Sequence, residues 1–410
     1  MLRENASVFE NLLYQSAADF LADDVANGNL PQALLLAGPA MSGKLTAALE
    51  LARVLSCSGE PKGAWQCSCP SCIKHKSLTS SSVLLSGSRD CTLEISAAAK
   101  TLVRAVREQT SYLAAARYLF VRSVRKLTGR FNQVLWEGDE KVSKIAALTS
   151  IIDEMLEELD PVRPLPELSA LEKSAEALVA QCIKLESSFM YDSVPVSQIR
   201  RAASWARLTA TEGKRVMIFE RADRMQDSVR NALLKILEEP PSDTFFILTA
   251  ERKNAVLPTI LSRVRTYAFI ERSPDRQREV VQRIFHEDGY NSVAAYLNGF
   301  LPVGTEDIQT AAQTFTGELK KGDVPDIDSL VKRMKNFEPR IMLSLFFNAV
   351  LDTVKKDCSA QNGCGLSSTV YKTRITEEVK RSYEDIIVYN QTPLAALESL
   401  AYAFLEEGAR

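Results

Sequence analysis

Apolar residues in this chain come in two patterns, near-continuous runs and runs with helical spacing. The near-continuous runs are 31–37, 83–85, 216–219, 244–249 and 267–270, apolar but for Gln32, Thr244 and Thr249. Short apolar runs behind turn signals suit strands buried on both faces. Around them, Val8, Leu12, Leu13, Phe20 and Leu21 recur at helical spacing over 8–27, and a helix is expected from 44 to about Leu55. After the 216–219 run, Val229, Leu233 and Leu237 recur every fourth position, with Asp227 placed to cap that helix and Pro240-Pro241 placed to stop it. Pro274 opens a further helix over 274–286.

Residues 92–190 break the alternation. Val103, Val106, Leu113, Phe120, Val124 and Leu127 repeat at threes and fours, as do Val142, Ile145, Ile152, Met155 and Leu159, then Leu171, Leu178, Cys182 and Leu185. Gly129, Gly138 and the Pro161–Pro166 region punctuate them, so an arm of about three helices is expected, packed on one another. Its first part is basic, with Lys100, Arg104, Arg107, Arg117, Arg122, Arg125, Lys126 and Arg130. Such a face could track a DNA backbone. The reading preferred here is a solvated face paired with the acidic segment Glu154–Glu158. Beyond Pro339 the spacing is helical again, through Ile341, Leu345, Phe346, Ala349 and Val350. Residues 317–325 read as a polar link and 358–368 as a loop.

At 410 residues the chain exceeds one ordinary core, so two or three domains are expected. A net charge of -2 does not predict tight autonomous binding to nucleic acid. No apolar run is long enough to span a bilayer, and the first residues lack a basic-then-apolar signal pattern. A cytoplasmic protein without membrane partners is the expectation. Its eight cysteines then read as reduced thiols or metal ligands.

Two motifs carry chemistry. The run at 31–37 leads into Gly38-Pro39-Ala40-Met41-Ser42-Gly43-Lys44-Leu45-Thr46, a phosphate-binding loop with one break. Gly38 and Gly43 allow backbone N–H groups to cradle phosphate, and Lys44 suits the β/γ-phosphates. The next position needs a hydroxyl for Mg²⁺, and Leu45 has none. Thr46 is one residue late and rotated by about 100°. A nucleotide pocket with damaged metal binding and a phosphate-free relic loop both remain open, so ATP/Mg²⁺ binding is undecided. The second motif is Cys57, Cys67, Cys69 and Cys72, four cysteines within sixteen positions, which suggests a structural Zn²⁺ site. His75 reads as a surface histidine and a weak reserve ligand. Cys91, Cys182, Cys358 and Cys364 read as ordinary thiols.

The order from 216 to 264 resembles the second half of a P-loop ATPase of the AAA+ class. More narrowly, NALLKILEEPPSDTFFILTA followed by LPTILSR resembles the bacterial DNA polymerase III clamp-loader subunits, the gamma/tau and delta-prime proteins. The resemblance covers all but the 92–190 arm. It implies an α/β fold: an AAA+ P-loop domain over 1–270, with a parallel sheet flanked by helices, a zinc module at 57–72 and a helical insertion at 92–190. A small helical lid (271–335) and a C-terminal helical collar for oligomerisation (336–410) would follow. The family carries a similar cysteine module just after the P-loop helix, with two residues rather than one between its middle pair.

In an ATPase of this class the third strand ends in Asp-Glu, for metal and for base. Here those positions hold Glu220 and Arg221, and guanidinium cannot act as a base. Leu45 and Arg221 fail in the same direction, which argues against efficient hydrolysis. The Ser262-Arg263 pair resembles the arginine finger that reaches a neighbour's ATP, and Thr249 matches the phosphate-sensing strand end. The resemblance thus implies a delta-prime-like, non-hydrolysing clamp-loader subunit. Its partners would be gamma/tau-like ATPases, a delta-like subunit, the sliding clamp and primed DNA. The rivals are a gamma/tau-like ATP-hydrolysing motor and a DNA-binding AAA+ repair adaptor.

Overall fold

A computed structural model describes residues 8–87, 91–161, 163–208, 213–360 and 366–408. The chain divides into two compact units, 1–190 with 194–296, and 191–193 with 297–410.

The first unit is built on a five-stranded parallel sheet: β1 (Ala33–Ala37), β2 (Val83–Ser86), β3 (Arg215–Phe219), β4 (Thr244–Ala250) and β5 (Arg265–Ala268), in the order β2-β3-β4-β1-β5. β1 and β4 are buried at every position, which is why they read as near-continuous apolar runs. β1 pairs with β4 from Ala33↔Phe246 and with β5 from Leu34↔Arg265, so it lies inside the sheet and opens into the P-loop. The fold is thus α/β, a five-stranded parallel sheet flanked by helices, as expected. Its last strand starts two residues earlier than the pattern suggested.

The helices flanking the sheet are α1 (Ala17–Ala26), α2 (Lys44–Ser56) and α3 (Pro70–Lys76). The expected 8–27 helix is shorter, because residues 8–16 form turns before it. The 92–190 arm holds four long helices rather than about three: α4 (Thr92–Arg107), α5 (Leu113–Thr128), α7 (Val142–Glu157) and α8 (Leu168–Phe189), with the one-turn α6 (Gln133–Trp136) between. The break between α4 and α5 carries no proline or glycine. It turns at Gln109, which adopts a left-handed φ of 49°, and so left no signal in the spacing. After the arm come α9 (Val196–Ala206), α10 (Asp227–Glu238), α11 (Pro258–Leu261), α12 (Pro274–Phe285) and α13 (Val293–Asn298). Asp227 is the first residue of α10 rather than its cap; Gln226 holds the cap position, and the Asp227 carboxylate accepts from Arg230 at 3.1 Å.

The second unit contains α14 (Thr305–Lys320), α15 (Ile327–Arg333), α16 (Ile341–Ala360), α17 (Leu366–Ile387) and α18 (Pro393–Gly408). One core joins Phe315 of α14 to Phe346 of α16 and Leu400 and Phe404 of α18. The polar link expected at 317–325 is half helix, because α14 runs on through Gly317. Of the loop expected at 358–368, residues 361–365 lie outside the described residues; α16 extends to Ala360 and α17 starts at Leu366. No helix among the described residues is long and apolar enough to cross a membrane.

Candidate functional site

The P-loop runs from the C-terminal end of β1 to the start of α2. It is packed closely from outside. A Cβ on Gly38 would lie 2.3 Å from the Phe269 carbonyl oxygen. Gly43 takes φ 98° at the cap of α2, a conformation that suits glycine. Lys44 is buried and folded back on its own loop. Its Nζ donates to the Gly38 carbonyl at 2.7 Å and to the Pro39 carbonyl, and the Ser42 hydroxyl donates to Pro39 at 2.8 Å. Burial lowers the Lys44 amine to about 8. Leu45 packs against the core and puts carbon at the position of the metal-binding hydroxyl. Thr46 is half-buried on the next helical step. Beneath the loop, buried Arg272 donates to the carbonyls of Leu13 (3.0 Å), Met41 (3.0 Å) and Ser42 (2.9 Å).

At the end of β3, Glu220 does not face an open site. Arg130, from the turn after α5 in the 92–190 arm, donates to Glu220 Oε2 through Nε at 3.1 Å and Nη2 at 2.5 Å. Both groups are largely buried, at 4% and 13% exposure. Burial works against the Arg130 charge, but Cys91, Glu220 and Glu186 around it hold it protonated above its ordinary value. Gly87, at the end of β2, makes room for the pair: a Cβ there would sit 1.9 Å from Glu220 Oε2. Arg221 turns away with a left-handed φ of 57° and pairs with Glu251 at 2.7 Å, and Arg224 reaches the same carboxylate at 3.3 Å. Buried Thr249 accepts from the Arg221 N–H at 3.3 Å, and Asp223 accepts from the N–H groups of Glu251 and Arg252. These contacts tie the ends of β3 and β4 together.

Arg263 follows α11 and is 31% exposed. Its Nη2 meets Glu238 Oε1 of α10 at 2.6 Å, while Nη1 donates to the Thr259 carbonyl at 2.7 Å and approaches the Ser262 hydroxyl at 3.3 Å.

The sulfurs of Cys57, Cys67, Cys69 and Cys72 all lie within 4.8 Å of one another. Cys57 and Cys67 are 3.7 Å apart. Thiolates bound tetrahedrally to zinc at about 2.3 Å sit about 3.8 Å from each other, so this donor set fits such an ion. Burial opposes ionisation of Cys69, yet donation from the Cys72 N–H and from Ser58 brings that thiol down to about 5. His75 is buried rather than at the surface and stands outside the four-sulfur set; burial lowers it to about 4, keeping the ring neutral. The Arg53 guanidinium, 1% exposed, touches Cys72 Sγ at 3.0 Å and is itself paired with Glu50 at 2.6 Å.

The basic stretch of the arm is consumed internally. Lys100 and Arg104 both pair with Glu287 at 2.9 Å, Arg107 with Glu172 at 2.6 Å and Lys126 with Glu94 at 2.5 Å. Arg117, Arg122 and Arg125 donate to the carbonyls of Leu159, Lys76 and Ser77. The expected pairing is present, but its partners are backbone carbonyls and scattered carboxylates rather than the Glu154–Glu158 helix.

Sequence reasoning missed Arg272, Arg53 and Gly87, and read Arg130 as one more cation of the arm's basic face rather than as the partner of Glu220. Only Arg53 left a trace, as a charge three positions from Glu50 among apolar neighbours in α2.

The profile of the family described as DNA polymerase III, delta subunit, matches residues 14–155 and 163–273. The DNA polymerase III subunit delta' of Bacillus subtilis is 33% identical over 97 residues, which is 23% of this chain and 29% of that protein. The subunit gamma/tau of Mycobacterium bovis is 40% identical over 75 residues, 18% of this chain and 13% of that protein. The chain therefore spans 29% and 13% of the lengths of these relatives. A solved gamma subunit-related protein of Thermotoga maritima aligns over 53% of this chain and 81% of its own, at 17% identity and a TM-score of 0.25.

Proposed function

This chain belongs to the DNA polymerase III, delta subunit family, and on that basis we propose that it is a non-hydrolysing, delta-prime-like clamp-loader subunit. The observation that carries the reading is the fate of Glu220. The carboxylate that would face Mg²⁺ is paired with Arg130, the next residue is an arginine, and the P-loop hydroxyl is replaced by Leu45. A site without metal ligand or base has no route to activating water. A gamma/tau-like motor requires both. A DNA-binding adaptor requires free cations, whereas Arg104, Arg125 and Lys126 of the arm are largely buried against partners within the chain.

In this reading Arg263 is the exported group. It is partly exposed, and a half-exposed carboxylate holds it, a contact worth little in water and easily exchanged for a phosphate. The neighbour would be a gamma/tau-like ATPase, assembled with a delta-like subunit to open the sliding clamp on primed DNA, in the cytoplasm. Residues 271–335 and 336–410 would serve as lid and collar. The four cysteines would hold one Zn²⁺, which closes a loop that buries little apolar surface of its own.

The test uses the assembled complex. The purified chain is expected to show no ATP turnover. Arg263→Ala is expected to lower turnover at the adjacent ATPase site by about 10³–10⁵ while assembly is retained. Brisk turnover by the chain alone, or full activity of the Arg263→Ala complex, refutes the proposal.

A further inference from the structure

The short helix α3 carries Cys72 and begins right after Cys69, yet its buried residues are Cys72 and His75 alone. Seven residues do not hold a helix together in water. Its N-terminal end is capped by Cys69, whose sulfur accepts from the Cys72 N–H at 3.4 Å. Its C-terminal end is gripped by the 92–190 arm. Arg122 of α5 donates to the Lys76 carbonyl, and Arg125 Nη1 donates to the Ser77 carbonyl at 2.8 Å. Cations at a helix C-terminus satisfy carbonyls that have no partner within the helix. Lys76 in turn donates back to the Cys67 carbonyl at 2.9 Å. α5 then leads directly to Arg130 on Glu220. One continuous set of contacts thus runs from the four sulfurs, through α3 and α5, to the end of β3.

We propose that a metal ion held by Cys57, Cys67, Cys69 and Cys72 governs the docking of the 92–190 arm. With the sulfurs drawn together, α3 presents its last carbonyls to Arg122 and Arg125. Without the ion, α3 loosens and α5 loses its anchor. The proposal rests on the metal reading above, and the experiment separates the two. The full chain, purified in reductant, is analysed for zinc by atomic emission. Its amide exchange is then followed before and after a strong chelator.

About one zinc per chain is expected. Its removal is expected to speed exchange over 113–128 about tenfold or more, the factor that one lost charge-assisted hydrogen bond corresponds to. β1, β3 and β4 are expected to keep their protection. The Arg122→Met/Arg125→Met double variant is expected to keep its zinc and still show the faster exchange. Unchanged exchange over 113–128 after proven loss of zinc overturns the coupling and leaves the metal site standing. Exchange rising equally in the strands also overturns it, because that is global unfolding. A chain that neither carries nor takes up zinc overturns the metal reading, and the coupling with it.

Discussion

Lys44 is a cation kept in a loop for which phosphate binding was left open, and its amine donates to two carbonyls and a hydroxyl of that loop. Burial brings its amine from 10.5 to about 8. The unfolded chain keeps the ordinary value, so between about pH 8 and 10.5 it binds more protons than the folded chain, and stability rises with pH there. Below about pH 8 the cost of the buried charge is fully present. Lys44→Met is expected to abolish that rise and to be no less stable than the parent at neutral pH, read from urea melts across the range. Arg130 is the opposite case, a buried cation fully answered by a carboxylate. Arg130→Met leaves Glu220 buried alone and is expected to cost about 3–5 kcal/mol. The Arg130→Met/Glu220→Met double variant is expected to recover most of it in the same denaturation measurement. Lys44, Leu45, Glu220 and Arg221 were visible in the sequence because each occupies a motif position. The role of Arg130 was not, since ninety residues separate it from its partner and only the folded arm brings them together.

At the scale of elements, the strands were legible where burial is two-sided and faded where it is not. β1 and β4 are buried throughout and appear as near-continuous apolar runs; β5 alternates with exposed positions and was placed two residues late. The arm's helices could be read from their periodicity, but their number could not, because the turn between α4 and α5 uses Gln109 rather than glycine or proline. The four cysteines were readable as a group from spacing alone, while the helix that carries Cys72 gains its place from Arg53, Arg122 and Arg125, which belong to other elements. The segment after β5 shows the same limit. Phe269, read as part of the last strand, and Arg272, placed by the resemblance at the start of the lid, both brace the P-loop. Gly38→Ala would drive a Cβ into the Phe269 carbonyl, which cannot rotate away. A loss of about 1–3 kcal/mol is expected, measurable as a lowered melting temperature.

For the whole molecule, compactness divides the chain near residue 296, whereas resemblance divided it near 270 and 335. Helix α12 stays with the sheet, and α14 and α15 share a core with the C-terminal helices. Such a grouping depends on which apolar faces meet, a matter of tertiary packing that periodicity within one helix does not encode. The joint that fastens the 92–190 arm has its own implication for engineering. Excising residues 92–190 would strip a guanidinium from a carboxylate that already lies where Gly87 leaves a void. The arm, that acid and that glycine therefore form one packed joint, and a trimmed version of the chain would have to answer the charge left on Glu220.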